Sequence, residues 1–272
     1  MTDATEHDRP LAGFESTQFT HAGTTRTVYR GGAGPGVVVI HEVPGVTPNV
    51  AAFGRRVIDA GFTVAMPSLF GEPGRAPTAG YLARSLLHGC VAREFTSWAT
   101  RTTSPVIEWL RALARDLHAS AGGPGVGAVG MCFTGGFALA MAVDETLLAP
   151  VLSQPSMPIG VGKARKRDLQ LSDADLARVQ DRAAHDGLCV LGLRFTRDPA
   201  VPPERFAHLR EALGDQFLAV EIDSSPGNAH GIPRAAHSVL TEHLVDEPGH
   251  PTRDALDQVL RFFAQRLAPT RT

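Results

Sequence analysis

The sequence predicts an α/β protein in which a mostly parallel central sheet carries helices on both faces. Apolar runs of strand length alternate with stretches of helical spacing along most of the chain, which is the pattern of a parallel sheet. The run from Val37 to Ile40 is apolar without a break, as in a strand buried on both faces. No internal repeat or low-complexity linker interrupts the alternation. We therefore expect one domain over residues 21–272, preceded by a loose N-terminal arm at residues 1–20.

Each predicted element has a local basis. Short apolar runs that end in turn residues predict strands at residues 37–40, 63–71, 126–131, 188–195 and 217–223. Apolar residues with helical spacing predict helices at residues 49–62, 104–118, 135–145, 202–214 and 253–267. The second of these helices has the clearest start, because Ser104 suits the N-cap and Pro105 suits the first turn.

A charged segment at residues 160–187 does not follow this alternation. It lies between two predicted strands and includes a helical pattern from Asp173 to Ala184. Two interpretations stay open for it. It is either a solvated excursion that carries a surface helix or a cap that leans over a pocket.

Composition argues against several classes of partner. Hydrophobic residues make up 43% of the chain and charged residues 20%, which is ordinary for a globular protein. A net charge of −2 gives no field that would recruit nucleic acid or a membrane surface. No apolar run approaches the ~20 residues that span a bilayer, and the polar N-terminus lacks the layout of a secretory signal. We expect neither nucleic acid nor a membrane as a partner.

Cysteine and histidine usage argues against disulfides and metals. The three cysteines cannot all pair, and none lies in a CxxC motif, so a reducing cytoplasm is the expected location. The eleven histidines show no metal-ligand spacing. We expect no metal and no cofactor.

The stretch "GMCFTGG" resembles a nucleophile elbow, a sharp strand-to-helix turn whose close neighbours must be small. Gly130 stands two residues before Cys132, and Gly135 and Gly136 follow it. The second glycine of the usual pattern is here Thr134. A free cysteine often only fills a gap in the core, but glycines on both sides of Cys132 favour a nucleophile. The helix that follows would favour a thiolate.

A nucleophile of this kind needs a histidine base, and the base needs an orienting carboxylate. In α/β hydrolases these follow the nucleophile in the order acid, then histidine. Asp198 follows a predicted strand where the acid is expected, although an aspartate before Pro199 could also serve only a turn. Histidines beyond the last predicted strand are the candidate bases: His230, His237 and His243.

Four stretches, "IHEVPGV", "GMCFTGG", "RDPAVPPE" and "AAHSVL", together resemble the dienelactone hydrolases (carboxymethylenebutenolidases) over about residues 36–267. The resemblance implies an α/β-hydrolase fold and the hydrolysis of esters or lactones of small organic molecules. It implies that Cys132 is the nucleophile and Asp198 the acid of a catalytic triad. For the base it favours His237, with His230 as the rival because it lies closer to the end of the strand.

The resemblance also implies roles for two loops. Glu42 matches the active-site glutamate of the family, which helps to convert thiol to thiolate when substrate arrives. Without the resemblance, a structural ion pair of Glu42 with Arg93 would be the default. The backbone N–H groups of Val43 and Phe133 match the oxyanion hole. Family members that act on dienelactone hold the substrate carboxylate with an arginine four residues after the histidine, where this chain has Thr241, so this clamp is not expected here.

The leading hypothesis is therefore a cysteine hydrolase of small esters or lactones. A non-catalytic relative that binds a ligand or partner is one alternative, and a thiol redox protein is another, although no resolving cysteine is near in sequence. Cys90 and Cys189 have no elbow around them, and Cys189 is expected in the core. The aromatic residues Tyr81, Phe95 and Trp98 could line a pocket, but we favour packing.

Overall fold

A computed structural model describes residues 10–78, 80–81, 104–157 and 166–268 of the chain. Its strands are β1 (Glu15–His21), β2 (Thr24–Gly32), β3 (Gly36–Ile40), β4 (Thr63–Pro67), β5 (Val126–Met131), β6 (Leu147–Ser153), β7 (Val190–Phe195) and β8 (Phe217–Ile222). Its helices with assigned bounds are α1 (Pro48–Asp59), α2 (Pro105–Ala121), α3 (Gly135–Met141), α4 (Asp173–His185), α5 (Pro203–Leu213) and α6 (Pro251–Arg266).

The described strands form one sheet in the order β1-β2-β4-β3-β5-β6-β7-β8. The strands β1, β2 and β4 pair antiparallel, and all pairs from β4 to β8 are parallel. The chain passes from β3 to β4 on one side of β3 and then to β5 on its other side. Such a reversal opens a crevice at the carboxyl ends of the strands, where Glu42 follows β3 and Cys132 follows β5.

Two hydrophobic cores cover the two faces of the sheet. Alternate residues of β3 divide between them, since Val38 and Ile40 lie in one core while Val37 and Val39 lie in the other. Helices α2, α3, α4 and α5 pack on the first face, and α1 and α6 pack on the second. A mostly parallel sheet with helices on both faces confirms the predicted fold class.

Three strands were missed by the sequence patterns. Residues 15–21 pair with β2 over their full length, so the prediction of a loose arm over residues 1–20 is wrong from Glu15 onward. The antiparallel strands β1 and β2 are largely half-exposed and polar, which hid them from a search for apolar runs. Strand β6 contains Pro150, a residue that argues against a central strand.

The predicted helix at residues 135–145 ends earlier, at Met141. The buried guanidinium of Arg182 on α4 donates to the carbonyl oxygens of Ala142, Asp144 and Leu147, at 2.6, 2.6 and 3.0 Å. These carbonyls therefore have a partner outside the helix. A long-range contact, which sequence periodicity does not contain, accounts for this boundary.

The described part of the charged segment is a loop followed by α4. Helix α4 buries Val179 and Ala183 in the first core, so it lies along the sheet. The loop before α4 comes near the carboxyl ends of the strands, where Gln170 Nε2 donates to the carbonyl of Ser156 at 3.3 Å. Among the residues that the structure describes, no helix is long and apolar enough to cross a membrane.

Candidate active site

Cys132 occupies a strained turn between β5 and α3. Its φ of +55° lies in the left-handed region, which side-chain-bearing residues seldom adopt. A Cβ on Gly130 would lie 2.1 Å from the carbonyl oxygen of Thr134, inside the turn itself. A Cβ on Gly135 would lie 2.7 Å from Pro155, and one on Gly136 would lie 2.0 Å from the side chain of Gln170. Each glycine thus makes room for a different neighbour of the turn.

Thr134, which stands where the elbow usually has its second glycine, closes the turn with its side chain. The hydroxyl accepts the N–H of Met131 at 3.0 Å. It also lies within donating distance of the carbonyl oxygens of Ile40 and His41, at 3.2 and 3.1 Å, at the end of β3. This fully buried threonine therefore joins the elbow to the neighbouring strand end.

The structure brings Cys132, His237 and Asp198 together from three strand ends. Asp198 is 4% exposed, and its Oδ2 accepts Nδ1–H of His237 at 2.6 Å while Oδ1 accepts the N–H of Ala200 at 2.9 Å. The Cys132 sulfur lies close enough to the imidazole to raise its pKa. Cys132 itself is half-buried. The sulfur therefore lies beside an imidazole that is hydrogen-bonded to a buried carboxylate.

The charge of His237 is set by its two partners. Burial by itself lowers the pKa of the imidazole, because it removes water from the charged form. Interactions with Asp198 and Cys132 outweigh that effect and raise the pKa of His237 to about 11. At neutral pH the imidazole is therefore positively charged.

The other candidate histidines lie elsewhere. His230 is exposed, and its ring packs edge-on against that of His250, with the ring centroids 5.3 Å apart. The Nδ1 of His243 accepts the backbone N–H groups of His237 and Ser238, at 3.4 and 3.2 Å. His243 therefore supports the loop that presents His237 and does not contact the thiol.

Comparison with known proteins identifies the family to which the chain belongs. The family model of the dienelactone hydrolase family matches residues 25–267. The chain belongs to the dienelactone hydrolase family. No protein among those of curated function matches it in sequence.

Solved structures of similar proteins share its architecture. The candidate dienelactone hydrolase of Klebsiella pneumoniae is 20% identical with a TM-score of 0.64, over 93% of this chain and 98% of that one. The dienelactone hydrolase of Anabaena variabilis is 16% identical with a TM-score of 0.60, over 93% and 98%. A dienelactone hydrolase-like promiscuous phosphotriesterase from metagenomic libraries is 18% identical with a TM-score of 0.60, over 94% and 98%. These likenesses establish the α/β-hydrolase fold.

In this member of the dienelactone hydrolase family, Glu42 is held by neutral donors. Its Oε2 accepts the hydroxyl of Ser238 at 2.6 Å and Nε2 of Gln154 at 3.2 Å, and its Oε1 accepts the hydroxyl of Thr241. The carboxylate is 4% exposed. Thr241, which stands where some family members have an arginine, thus donates its hydroxyl to Glu42. The described hydrogen bonds of Glu42 tie the β3 loop to the loop that carries His237.

The two backbone groups expected at the oxyanion hole come from fixed turns. Val43 follows Glu42, whose carbonyl accepts the N–H of Gly45 at 2.9 Å. Phe133 follows Cys132 in the elbow, and its buried ring packs against Phe137 with centroids 5.4 Å apart. Both N–H groups therefore belong to loops at the carboxyl ends of adjacent strands, β3 and β5.

His41 is a buried residue that the sequence patterns did not single out. Its Nδ1 donates to the carbonyl of Glu42 at 2.9 Å, and its Nε2 accepts the N–H of Leu69 at 3.0 Å. It links the loop after β3 to the segment after β4. The only signal in the sequence was its place directly before Glu42 at a strand end.

The buried imidazole of His41 predicts a loss of stability in acid. Burial, with a smaller effect of the Arg26 charge, outweighs the hydrogen bond to Glu42 and lowers its pKa from 6.5 to about 4. Between these values the unfolded chain binds a proton that the folded chain does not. The free energy of unfolding should therefore fall as pH drops from 6.5 to 4, by about 3 kcal/mol from this group. Urea unfolding of wild type and His41→Gln across this range measures the difference, and an equal pH dependence in both would contradict it.

The remaining candidates divide between described and undescribed residues. Cys189 is half-buried rather than core, and its thiol donates to Gln216 Oε1 at 2.7 Å. Tyr81 is 5% exposed, and the guanidinium of Arg75 lies 4.4 Å from its ring centroid, so this aromatic residue packs. Four other candidates lie outside the described residues: Cys90, Arg93, Phe95 and Trp98.

Proposed function

We propose that this protein hydrolyses esters or lactones of small organic molecules with Cys132 as the nucleophile. One observation carries the proposal: the sulfur at a strained elbow lies beside His237, whose Nδ1 is hydrogen-bonded to the buried carboxylate of Asp198. Membership of the dienelactone hydrolase family supports hydrolytic chemistry. The raised pKa of His237 supports an imidazolium beside Cys132, and such a positive charge would stabilise a thiolate there.

The first half-reaction forms a thioester. The Cys132 thiolate attacks the substrate carbonyl carbon, and the carbonyl electron pair moves to oxygen. The N–H groups of Val43 and Phe133 stabilise that oxyanion. As the intermediate collapses, the carbon–oxygen bond of the ester breaks, and the leaving alkoxide takes the proton of His237.

The second half-reaction restores the thiolate. Neutral His237, oriented by Asp198, takes a proton from water, and the resulting hydroxide attacks the thioester carbonyl. Collapse releases the carboxylic acid and the Cys132 thiolate beside protonated His237. Because a thiolate is itself a good leaving group, the tetrahedral intermediate of an amide would expel the sulfur in preference to the amide nitrogen and return to substrate. Esters and lactones are therefore the proposed substrates rather than peptides.

The surroundings of Glu42 bear on both substrate and mechanism. With Thr241 in place of the arginine, that position offers no positive charge to a substrate carboxylate. Glu42 itself is bonded to Ser238, next to His237, so we assign it the orientation of the histidine loop. A direct part in forming the thiolate, as the family resemblance implies, would require Glu42 to leave these hydrogen bonds.

Alkylation with iodoacetamide tests the proposal. Near pH 7 the reagent should modify Cys132 at least about tenfold faster than Cys189, because Cys132 alone of these two contacts an imidazolium. Hydrolysis of a p-nitrophenyl ester should be lost in step with labelling of Cys132. Equal labelling of both cysteines would contradict an activated nucleophile and favour a binding protein. Rapid peroxide consumption without ester turnover would favour a redox protein.

A further inference from the structure

Besides His237, a second polar side chain lies against the Cys132 sulfur. Ser156, beyond the end of β6, has its Oγ 3.1 Å from Cys132 Sγ. Its backbone N–H also donates to the carbonyl oxygen of Cys132 at 2.9 Å. The serine is 5% exposed. Ser156 is therefore attached to the nucleophile through both its main chain and its side chain.

The segment that carries Ser156 is held from behind. The buried guanidinium of Arg205 donates to the carbonyl of Pro155 at 2.7 Å, and Gln170 Nε2 donates to that of Ser156 at 3.3 Å. Gly135 allows this approach, since a Cβ there would lie 2.7 Å from Pro155. Contacts from α3, α5 and the loop before α4 therefore place the hydroxyl against the sulfur, as a preorganised site requires.

We propose that Ser156 is a positioning residue that donates its hydroxyl proton to Cys132 Sγ whenever the sulfur is ionised, and so stabilises the thiolate. The inference rests on the proposed function of Cys132. Once the sulfur has lost its proton, the hydroxyl must be the donor in this contact, and hydrogen bonds to charged acceptors are the strong ones. His237 and Ser156 would then be two donors to one sulfur.

The hydrogen bond from Ser156 does not stabilise every state of the catalytic cycle equally. After acylation the sulfur is part of a neutral thioester and is a weak acceptor, so the hydrogen bond from the Ser156 hydroxyl becomes much weaker. Ser156 thus stabilises the thiolate more than the acyl-enzyme. It favours ionisation of the cysteine at neutral pH rather than the attack itself.

The pH profile of Cys132 alkylation by iodoacetamide tests this role. In Ser156→Ala the pH of half-maximal alkylation rate should rise by about one unit, so the rate well below that pH should fall about tenfold. Ser156→Thr keeps the hydroxyl and should keep the wild-type profile. Ser172→Ala, which removes the N-cap hydroxyl of α4, is the matched control and should not move the profile.

Each outcome has a distinct meaning. An unchanged profile in Ser156→Ala, in a protein with wild-type circular dichroism, would overturn the inference. Equal shifts in the alanine and threonine variants would overturn it too, because they would indicate packing rather than a donated proton. If Ser156→Ala does not fold, Ser156→Gly should show the same shift, and a wild-type profile there would overturn the proposal. Wild-type Cys132 that reacts no faster than Cys189 would instead contradict the proposed function itself.

Discussion

Replacing Cys132 by alanine is expected to lower kcat/KM for p-nitrophenyl acetate by at least ~10⁴-fold. The variant keeps the oxyanion-hole N–H groups and the His237–Asp198 pair but has no atom that can form the acyl-enzyme. Alanine is smaller than cysteine and takes up the same backbone position, so the fold should persist. Steady-state kinetics with purified protein measure the change in kcat/KM, and circular dichroism checks the fold.

Cys189→Ala is the matched control for the loss of a half-buried thiol. Its sulfur donates to Gln216 near the start of β8, at the far ends of the strands from the elbow, so turnover should stay within about twofold of wild type. Retained turnover in Cys132→Ala would refute the assigned nucleophile. It would leave the family and fold intact, because neither depends on that side chain.

Replacing His237 by alanine is expected to lower kcat/KM by about 10³-fold. The substitution removes the proton donor for the leaving alkoxide and the base for water, and it removes the positive charge beside Cys132. His230→Ala should stay within about twofold of wild type, since that exposed imidazole contacts His250 and not the elbow. Parallel kinetics of the two variants on one ester give the comparison.

The same pair of variants also separates chemistry from packing. In His237→Ala, alkylation of Cys132 near neutral pH should slow together with ester turnover, because both depend on the thiolate. In His230→Ala neither rate should change. Equal, mild losses in both variants would contradict the assignment of His237 as the base.

The sequence predicted those parts of the structure well whose pattern depends only on residues close together in the chain. The alternation of strands and helices from residue 36 onward and the elbow around Cys132 were predicted because they depend on neighbours within a few residues. Gly130 illustrates this, since the atom that a Cβ would meet there is the carbonyl oxygen of Thr134, four residues along the chain. The hairpin of β1 and β2 was missed because its residues are largely polar and half-exposed, and β6 was missed because Pro150 argues against a central strand.

The candidate site divides in the same way, into features that local sequence predicted and contacts that join distant residues. Cys132 was predicted from the elbow around it and Asp198 from the end of a strand, but the residue patterns alone left three histidines as candidates for the base. The ion pair of His237 with Asp198 joins residues 39 apart, and the contact of Ser156 with Cys132 joins residues 24 apart. The sequence by itself determined the layers of the fold and the turn that exposes the sulfur, because periodicity and steric clearance act locally. Only the tertiary structure decided which imidazole meets the carboxylate and which hydroxyl meets the sulfur, because those distances depend on how the loops after separate strands pack together.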